Sequence, residues 1–433
     1  MKGNSITALW RLSISLLAII SAISCGDLDS DLFIAVEDKD FKYGVARVLK
    51  RGSGWGLIDR SGKFLAPCEY SSIADFREGV AAATKNGKWG IIDNFGNVIA
   101  PFEYDFIFLY GLEDGMFAVK KSELQWGFLD KSGNVAIPFK YSHVSTFSEG
   151  LATVVTGIYK SKDYYGYEKC KFSVIDKTGR EIISSKYDYI GRFHDGLAVV
   201  GIGGEVKGLG ELILFARGGK RGYINANGKL VIPVEYDDAS NFSDGIGFVK
   251  KNGKWGAIDR SGRVVIPLTY DRIESFSEGL AVVEKNGKKG YVDRKGNVVI
   301  PIDYEDANAF HQGIAAVKKN GKYGMIDKNN RIVVPFGEYE SISFPSESEG
   351  LIRVTKGGKL GFIDTRGNVV IPLKYDDSLS LYSNRFQNGY ALVAKNDSPV
   401  IIDRNGKERE DVVAAIHPVS PELVFFEAYK PNR

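Results

Sequence analysis

Aspartate recurs along this chain as Asp59, Asp93, Asp130, Asp176, Asp259, Asp293, Asp327, Asp364 and Asp403, with Asn225 once in its place. Paired carboxylates can serve glycosidic hydrolysis as acid and nucleophile, and clustered carboxylate oxygens can hold calcium. Asn225 speaks for a simpler role, since its amide oxygen accepts turn hydrogen bonds while carrying no charge. His194 and His311 share one position, Phe-His-x-Gly, while His143 and His417 stand elsewhere. A metal site needs three or four convergent ligands, and no such group is visible. Cys25, Cys68 and Cys170 show neither CxxC nor His-Cys metal spacing, and Cys68 and Cys170 occupy non-equivalent places. No Gly-x-Ser-x-Gly elbow, phosphate loop or dinucleotide fingerprint appears. The expectation is no catalytic residue, no metal and no cofactor.

These residues recur because the whole phrase around them recurs, ten times, with Pro233, Pro267, Pro301 and Pro335 stepping by 34 residues. A period of this length marks an array of identical supersecondary units. In each unit, three apolar runs are separated by two turn signals. Leu280-Ala281-Val282-Val283 leads into Asn286-Gly287, the preferred two-residue hairpin loop. Gly290-Tyr291-Val292 leads into Asp293-Arg294-Lys295-Gly296, with Asp first and Gly fourth as a turn requires. Asn297-Val298-Val299-Ile300 is then expected to end at Pro301, which cannot donate to a ladder. The expected fold class is all-β: a tandem array of about ten three-stranded antiparallel β-meander repeats, an open β superhelix or propeller-like.

The runs are apolar on both faces, so each small sheet must be covered on both sides by its neighbours. Phe recurs three residues before the first-strand glycine, from Phe41 and Phe76 to Phe310 and Phe386, and Tyr follows the closing position from Tyr70 to Tyr375. Spacers packed between adjacent sheets account for both rows.

The template breaks in bulk twice. Residues 156–171 interrupt the first hairpin of the fourth unit, and residues 201–219 do so in the fifth. Insertions of this kind map to loops on one side of an array, often the binding side. The first carries Tyr159, Tyr164, Tyr165 and Tyr167, the candidate partner-binding residues, because tyrosine offers rigid contact area with a hydrogen-bonding tip. Lysines also gather at the regular hairpin tips, among them Lys85, Lys88, Lys254, Lys289 and Lys319. In register they form a ridge able to attract anionic polymers, or one that simply protects sheet edges.

Residues 1–24 differ in kind. Lys2 and Arg11 are their only charges, and an apolar stretch too short to span a bilayer ends in small residues, which reads as a signal peptide. Cys25 follows directly, before an acidic tether. A cysteine there resembles a bacterial lipoprotein site, with Cys25 lipidated; Ala22-Ile23-Ser24 also fits ordinary cleavage of a secreted protein. Lys plus Arg is 57 against 54 Asp plus Glu, and loss of the two leader cations takes +3 to +1. So even a balance argues against a nucleic-acid binder. The organisation expected is leader 1–24, tether and first strand 25–40, repeat array 41–406 with a possible subdivision near 157–219, and a C-terminal cap 407–433.

Trp55-Gly56, Trp89-Gly90, Trp126-Gly127 and Trp255-Gly256, in phase with Ile-Asp-x-x-Gly and Ile-Pro-x-x-Tyr, resemble the WG (KWG) repeat family of bacterial proteins over about residues 41–406. The resemblance implies an all-β repeat array, generally without an assigned reaction, and supplies no catalytic residues. The function expected is a non-enzymatic envelope scaffold binding protein or glycan through an extended repeat surface. The alternatives are a glycan-directed enzyme with its site in 157–219, and a purely structural envelope protein.

Overall fold

The computed structural model describes residues 43–50, 53–108, 112–157, 171–184, 186–209, 213–343, 349–377, 386, 389–396 and 398–409. It describes backbone alone for 32–33, 205–209, 213–217, 412–416 and 424–428. Cys25, Cys170, His417, Tyr159, Tyr164, Tyr165 and Tyr167, with the leader, lie outside the described residues.

The chain is a tandem array of antiparallel meanders: among the described residues, eight four-stranded sheets, one six-stranded sheet and two two-stranded ribbons. The seventh sheet shows the pattern, with strands Arg272–Ile273, Leu280–Lys285, Lys288–Asp293 and Val298–Tyr304 hydrogen-bonded in chain order. The three long strands are those expected from the sequence. A two-residue strand precedes them, pairing Arg272 with Glu284 and Ile273 with Val283.

In the seventh sheet the proline does not end its strand, contrary to the sequence expectation, whereas in the eighth Ile332–Val334 stops directly before Pro335. Val298–Tyr304 runs through Pro301, on a strand with no further neighbour, where a missing donor costs nothing. Opposite it the register jumps from Lys289↔Tyr304 to Tyr291↔Ile300, so residues 301–303 bulge opposite Gly290. A Cβ on Gly290 would stand 2.6 Å from the Pro301 carbonyl oxygen; on Gly256 it would stand 2.5 Å from that of Ile266. The glycine after the Trp position is thus there for close approach of the bulged strand.

Strands are buried on both faces, as the apolar runs require. Val80 and Ala82 pack with Ile107, Phe117 and Val119 of the third sheet. Ala81 and Ala83, pointing the other way, pack with Val45, Leu57 and Ala66 of the first. The aromatic rows are the spacers expected. Phe147 meets Phe128 of the preceding sheet at 4.7 Å between centroids, and Phe310 meets Tyr291 at 4.8 Å. The Tyr291 hydroxyl donates to the Asn308 carbonyl at 2.7 Å, so its one polar atom is satisfied.

By compactness the chain divides into residues Met1–Gly247 and Phe248–Arg433, the division falling inside the strand Ile246–Lys251. Five sheets lie wholly in the first unit, with both insertions. In the second unit the tenth repeat forms no sheet of its own. Its strands Tyr390–Lys395 and Ser398–Asp403 extend the ninth sheet through the single pair Asp376↔Ala394. The ribbon Val412–Ile416 with Val424–Ala428 follows.

Candidate functional site

The long hairpins of the second, sixth, seventh and eighth sheets end in a two-residue loop with both residues at positive φ: Asn286 at 53° and Gly287 at 73°, with Asn86-Gly87, Asn252-Gly253 and Asn320-Gly321 alike. Many of the lysines at the hairpin tips are paired with carboxylates. Lys88 pairs with Asp105 at 2.7 Å, Lys220 with Asp237 at 2.6 Å, Lys289 with Asp306 at 2.6 Å and Lys359 with Asp376 at 2.5 Å. Lys254 pairs likewise with Asp271, whose carboxyl is held below its usual range first by that hydrogen bond and then by the Asn286 amide. Lys85 meets Glu69 at 2.6 Å and Lys319 meets Asp303 at 2.8 Å. Lys250 and Lys318 lie over the Trp255 and Tyr323 rings.

The two insertions leave from this hairpin-tip edge. In the fourth sheet, strands Leu151–Thr156 and Lys171–Asp176 pair up to Thr156↔Lys171, so the segment between them emerges from the hairpin tip. In the fifth, Leu197–Ile202 and Lys220–Asn225 pair up to Ile202↔Lys220. Beyond that point the chain forms a second ladder, Glu205–Leu209 with Ile213–Arg217, in register from Glu205↔Arg217 to Leu209↔Ile213. The joint uses Gly203, Gly218 and Gly219, at φ 73°, 74° and 69°. A Cβ on Gly219 would come within 2.4 Å of the Ile202 carbonyl oxygen. The two sheets are neighbours: Val155, Phe172 and Val174 share a core with Ile190, Ala198 and Val200. Both insertions therefore spring from the same edge of adjacent sheets.

Side chains beneath them also leave the template. Phe172 and Arg221 take the Trp position, both buried, and Arg221 donates from Nη1 to the Lys220 carbonyl at 3.3 Å. His143, buried, lies tilted against Trp126 with centroids 5.4 Å apart.

The aspartate row caps turns, in all ten copies. Asp259 Oδ1 accepts from the amides of Ser261 at 2.9 Å and Arg263 at 3.0 Å. Asn225 does the same for Asn227 at 3.1 Å and Lys229 at 3.0 Å. Among the described residues no three His, Cys, Asp or Glu side chains gather so as to hold a metal. His311 sits in a turn, its amide bonded to the Ile314 carbonyl at 2.9 Å. Burial raises the pKa of the half-buried Cys68 thiol.

One recurrent device has no counterpart in the sequence reading. At the opposite end of the second strand, the residue before the first-strand glycine is acidic and held at positive φ: Asp114 at 52°, Glu149 at 56°, Asp195 at 54° and Glu278 at 50°. Its carboxylate accepts the glycine N–H of the same turn one sheet on. Asp114 takes Gly150 at 2.8 Å, Glu149 takes Gly196 at 2.9 Å and Asp195 takes Gly245 at 2.6 Å. In the second unit, Glu278 takes Gly313 of the next sheet and Glu349 takes Gly389 of the next repeat, within the six-stranded sheet, both at 3.0 Å. The acid-glycine pair is visible in most copies of the repeat; its partner, dozens of residues away, is not.

The chain belongs to the family of WG containing repeats, whose model matches residues 55–89, 89–124, 126–157, 172–205, 222–255, 255–288, 290–323, 323–359 and 361–397. Each match starts at or near the third strand of one sheet, so sequence repeat and sheet are out of phase. No curated protein matches the chain. Among solved structures it is similar to a eukaryotic initiation factor, at 12% identity, 82% of this chain, 96% of that one and a TM-score of 0.38. It is similar to PorZ, a surface component of the type-IX secretion system of Porphyromonas gingivalis, at 11% identity, 91% of this chain, 61% of that one and a TM-score of 0.25. For AztD from Citrobacter koseri the values are 12%, 78%, 92% and 0.28. At these scores none of the three bears on fold or function here.

Proposed function

We propose that this WG-repeat protein is a non-enzymatic scaffold, exported and held at a membrane through a lipidated Cys25, that binds a protein or glycan partner at the hairpin-tip edge of its fourth and fifth sheets. The observation that carries the reading is the placement of both bulk insertions on one edge of two adjacent sheets. The regular units already satisfy their hairpins with Asn-Gly, so folding needs neither insertion. Ordering an extra ladder costs conformational entropy, which a binding role would justify. The tyrosines of 156–171 would supply contact area at that edge.

The test replaces both insertions with the regular Lys-Asn-Gly-Lys hairpin and compares co-purifying material from cells. Unchanged thermal stability with loss of the partner supports the reading, and retained capture places the site elsewhere. Anchoring is checked separately: Cys25→Ala should move the protein from the membrane fraction to the soluble exported fraction.

A further inference from the structure

At the turn edge, remote from the hairpin tips, the template is broken by charge. The position two before the first-strand glycine is serine in regular copies, and its hydroxyl bridges to the next sheet: Ser148 donates to the Phe193 carbonyl at 2.7 Å and Ser277 to that of Phe310 at 2.6 Å. In the second and third sheets this position becomes Arg77 and Glu113. One residue before the turn Phe, where Asn241 and Ser275 stand in other copies, the fifth sheet carries Arg192.

These three converge although they come from the second, third and fifth sheets. Glu113 Oε2 accepts from Arg192 Nη2 at 2.6 Å and from the Thr146 hydroxyl at 2.8 Å. Glu113 Oε1 faces Arg77 Nη1 at 3.7 Å, beyond hydrogen-bond reach. Arg192 Nη2 also reaches the Phe147 carbonyl at 3.4 Å, while its buried Nε has no partner. Two guanidinium forks, with five donors each, thus share one carboxylate, and Arg77 stays 45% exposed. Within this triad donors outnumber acceptors, which favours a ligand that brings acceptors. His194 lies beside them, its pKa lowered by burial and then by the Arg192 charge.

We infer that Arg77 and Arg192 form a binding site for the carboxylate of a small, singly charged organic acid. A guanidinium fork matches a planar carboxylate bidentately. The neighbouring turn carboxylates of Asp114, Glu149 and Asp195, though each takes a glycine N–H, repel dense negative charge, so a polyanion is disfavoured. The site is separate from the hairpin-tip edge and stands or falls apart from it.

The test is calorimetric titration of the full chain with glucuronate, glucose and dextran sulfate. Saturable glucuronate binding is expected, with no response to glucose. Arg77→Ser and Arg192→Asn restore residues that other repeats carry, and each should weaken glucuronate at least tenfold while circular dichroism stays unchanged. Arg77→Lys, which keeps the charge and loses the fork, should fall between. Absence of saturable glucuronate binding, equal affinity in the Ser and Asn variants, or tighter binding of dextran sulfate would each overturn the proposal.

Discussion

Single residues in this chain answer to backbone geometry more than to chemistry. Gly290 and Gly287 separate two kinds of requirement. A methyl group on Gly290 meets the Pro301 and Ile300 carbonyl oxygens at 2.6 and 2.7 Å, whereas nothing lies within 4 Å of one on Gly287, where only the positive φ matters. Gly290→Ala should therefore cost about 1–3 kcal/mol through overpacking. Gly287→Ala should cost about 1 kcal/mol; urea midpoints of the two variants check the order. The turn caps respond to pH instead. The Thr178 hydroxyl most strongly, then against the opposing effect of burial the amides of Thr178 and Arg180 and the Arg180 guanidinium, hold the Asp176 carboxyl at about 2. A carboxyl depressed on folding contributes stability above its unfolded value, near ~3.9, and loses it as pH falls towards the folded one. Asp176→Asn, the same exchange that Asn225 already makes in its own repeat, should keep the turn but forfeit the charge's contribution, lowering the urea midpoint at neutral pH and flattening its fall between about pH 4 and 2. An unaltered acid limb would show that the cap's charge is irrelevant.

At the scale of elements, what local chemistry dictates was legible and what depends on distant chain was not. Asn-Gly and Asp-x-x-Gly located the three long strands, because those turns need particular residues at particular places. The two-residue strands, such as Ser72–Ile73 and Asp306–Ala307, have no pattern of their own and exist only by pairing with the strand that follows. Pro301 reads as a terminus, since sequence cannot show that its strand lies at an edge. The Phe row was legible as spacers, and its contribution can be measured: Phe310→Ala should cost about 3–5 kcal/mol, read as a lowered denaturant midpoint. The two insertions stand out from the repeat at their true places. That they share one edge, and that the second forms a ladder, follows only from sheet stacking. The Arg77–Glu113–Arg192 convergence was missed altogether, Glu113 and Arg192 alone lying 79 residues apart; a position-by-position alignment of the repeats would have exposed Arg77 and Glu113 as departures from the serine of regular copies, while Arg192 stands at a position that varies from copy to copy.

For the whole molecule, near-neutral charge and paired hairpin lysines predict weak attraction to polyanions. The protein should leave a heparin column below about 0.15 M salt, where screening already reduces surface electrostatics to short range; retention well beyond that would restore the lysine ridge as a binding surface. The exposed pairs themselves contribute little, roughly 0–1 kcal/mol each, so thermal midpoints should be almost insensitive to added salt. The carboxylate-to-glycine link between successive turns has a direction: where it forms, the earlier turn passes an acceptor forward and the later one offers a donor backward. A complete 34-residue cassette spliced in phase would find both partners waiting. Duplication or loss of whole cassettes can thus alter copy number without redesigning any neighbour, while recombination that leaves other lengths is viable only where a hairpin tip can absorb the surplus.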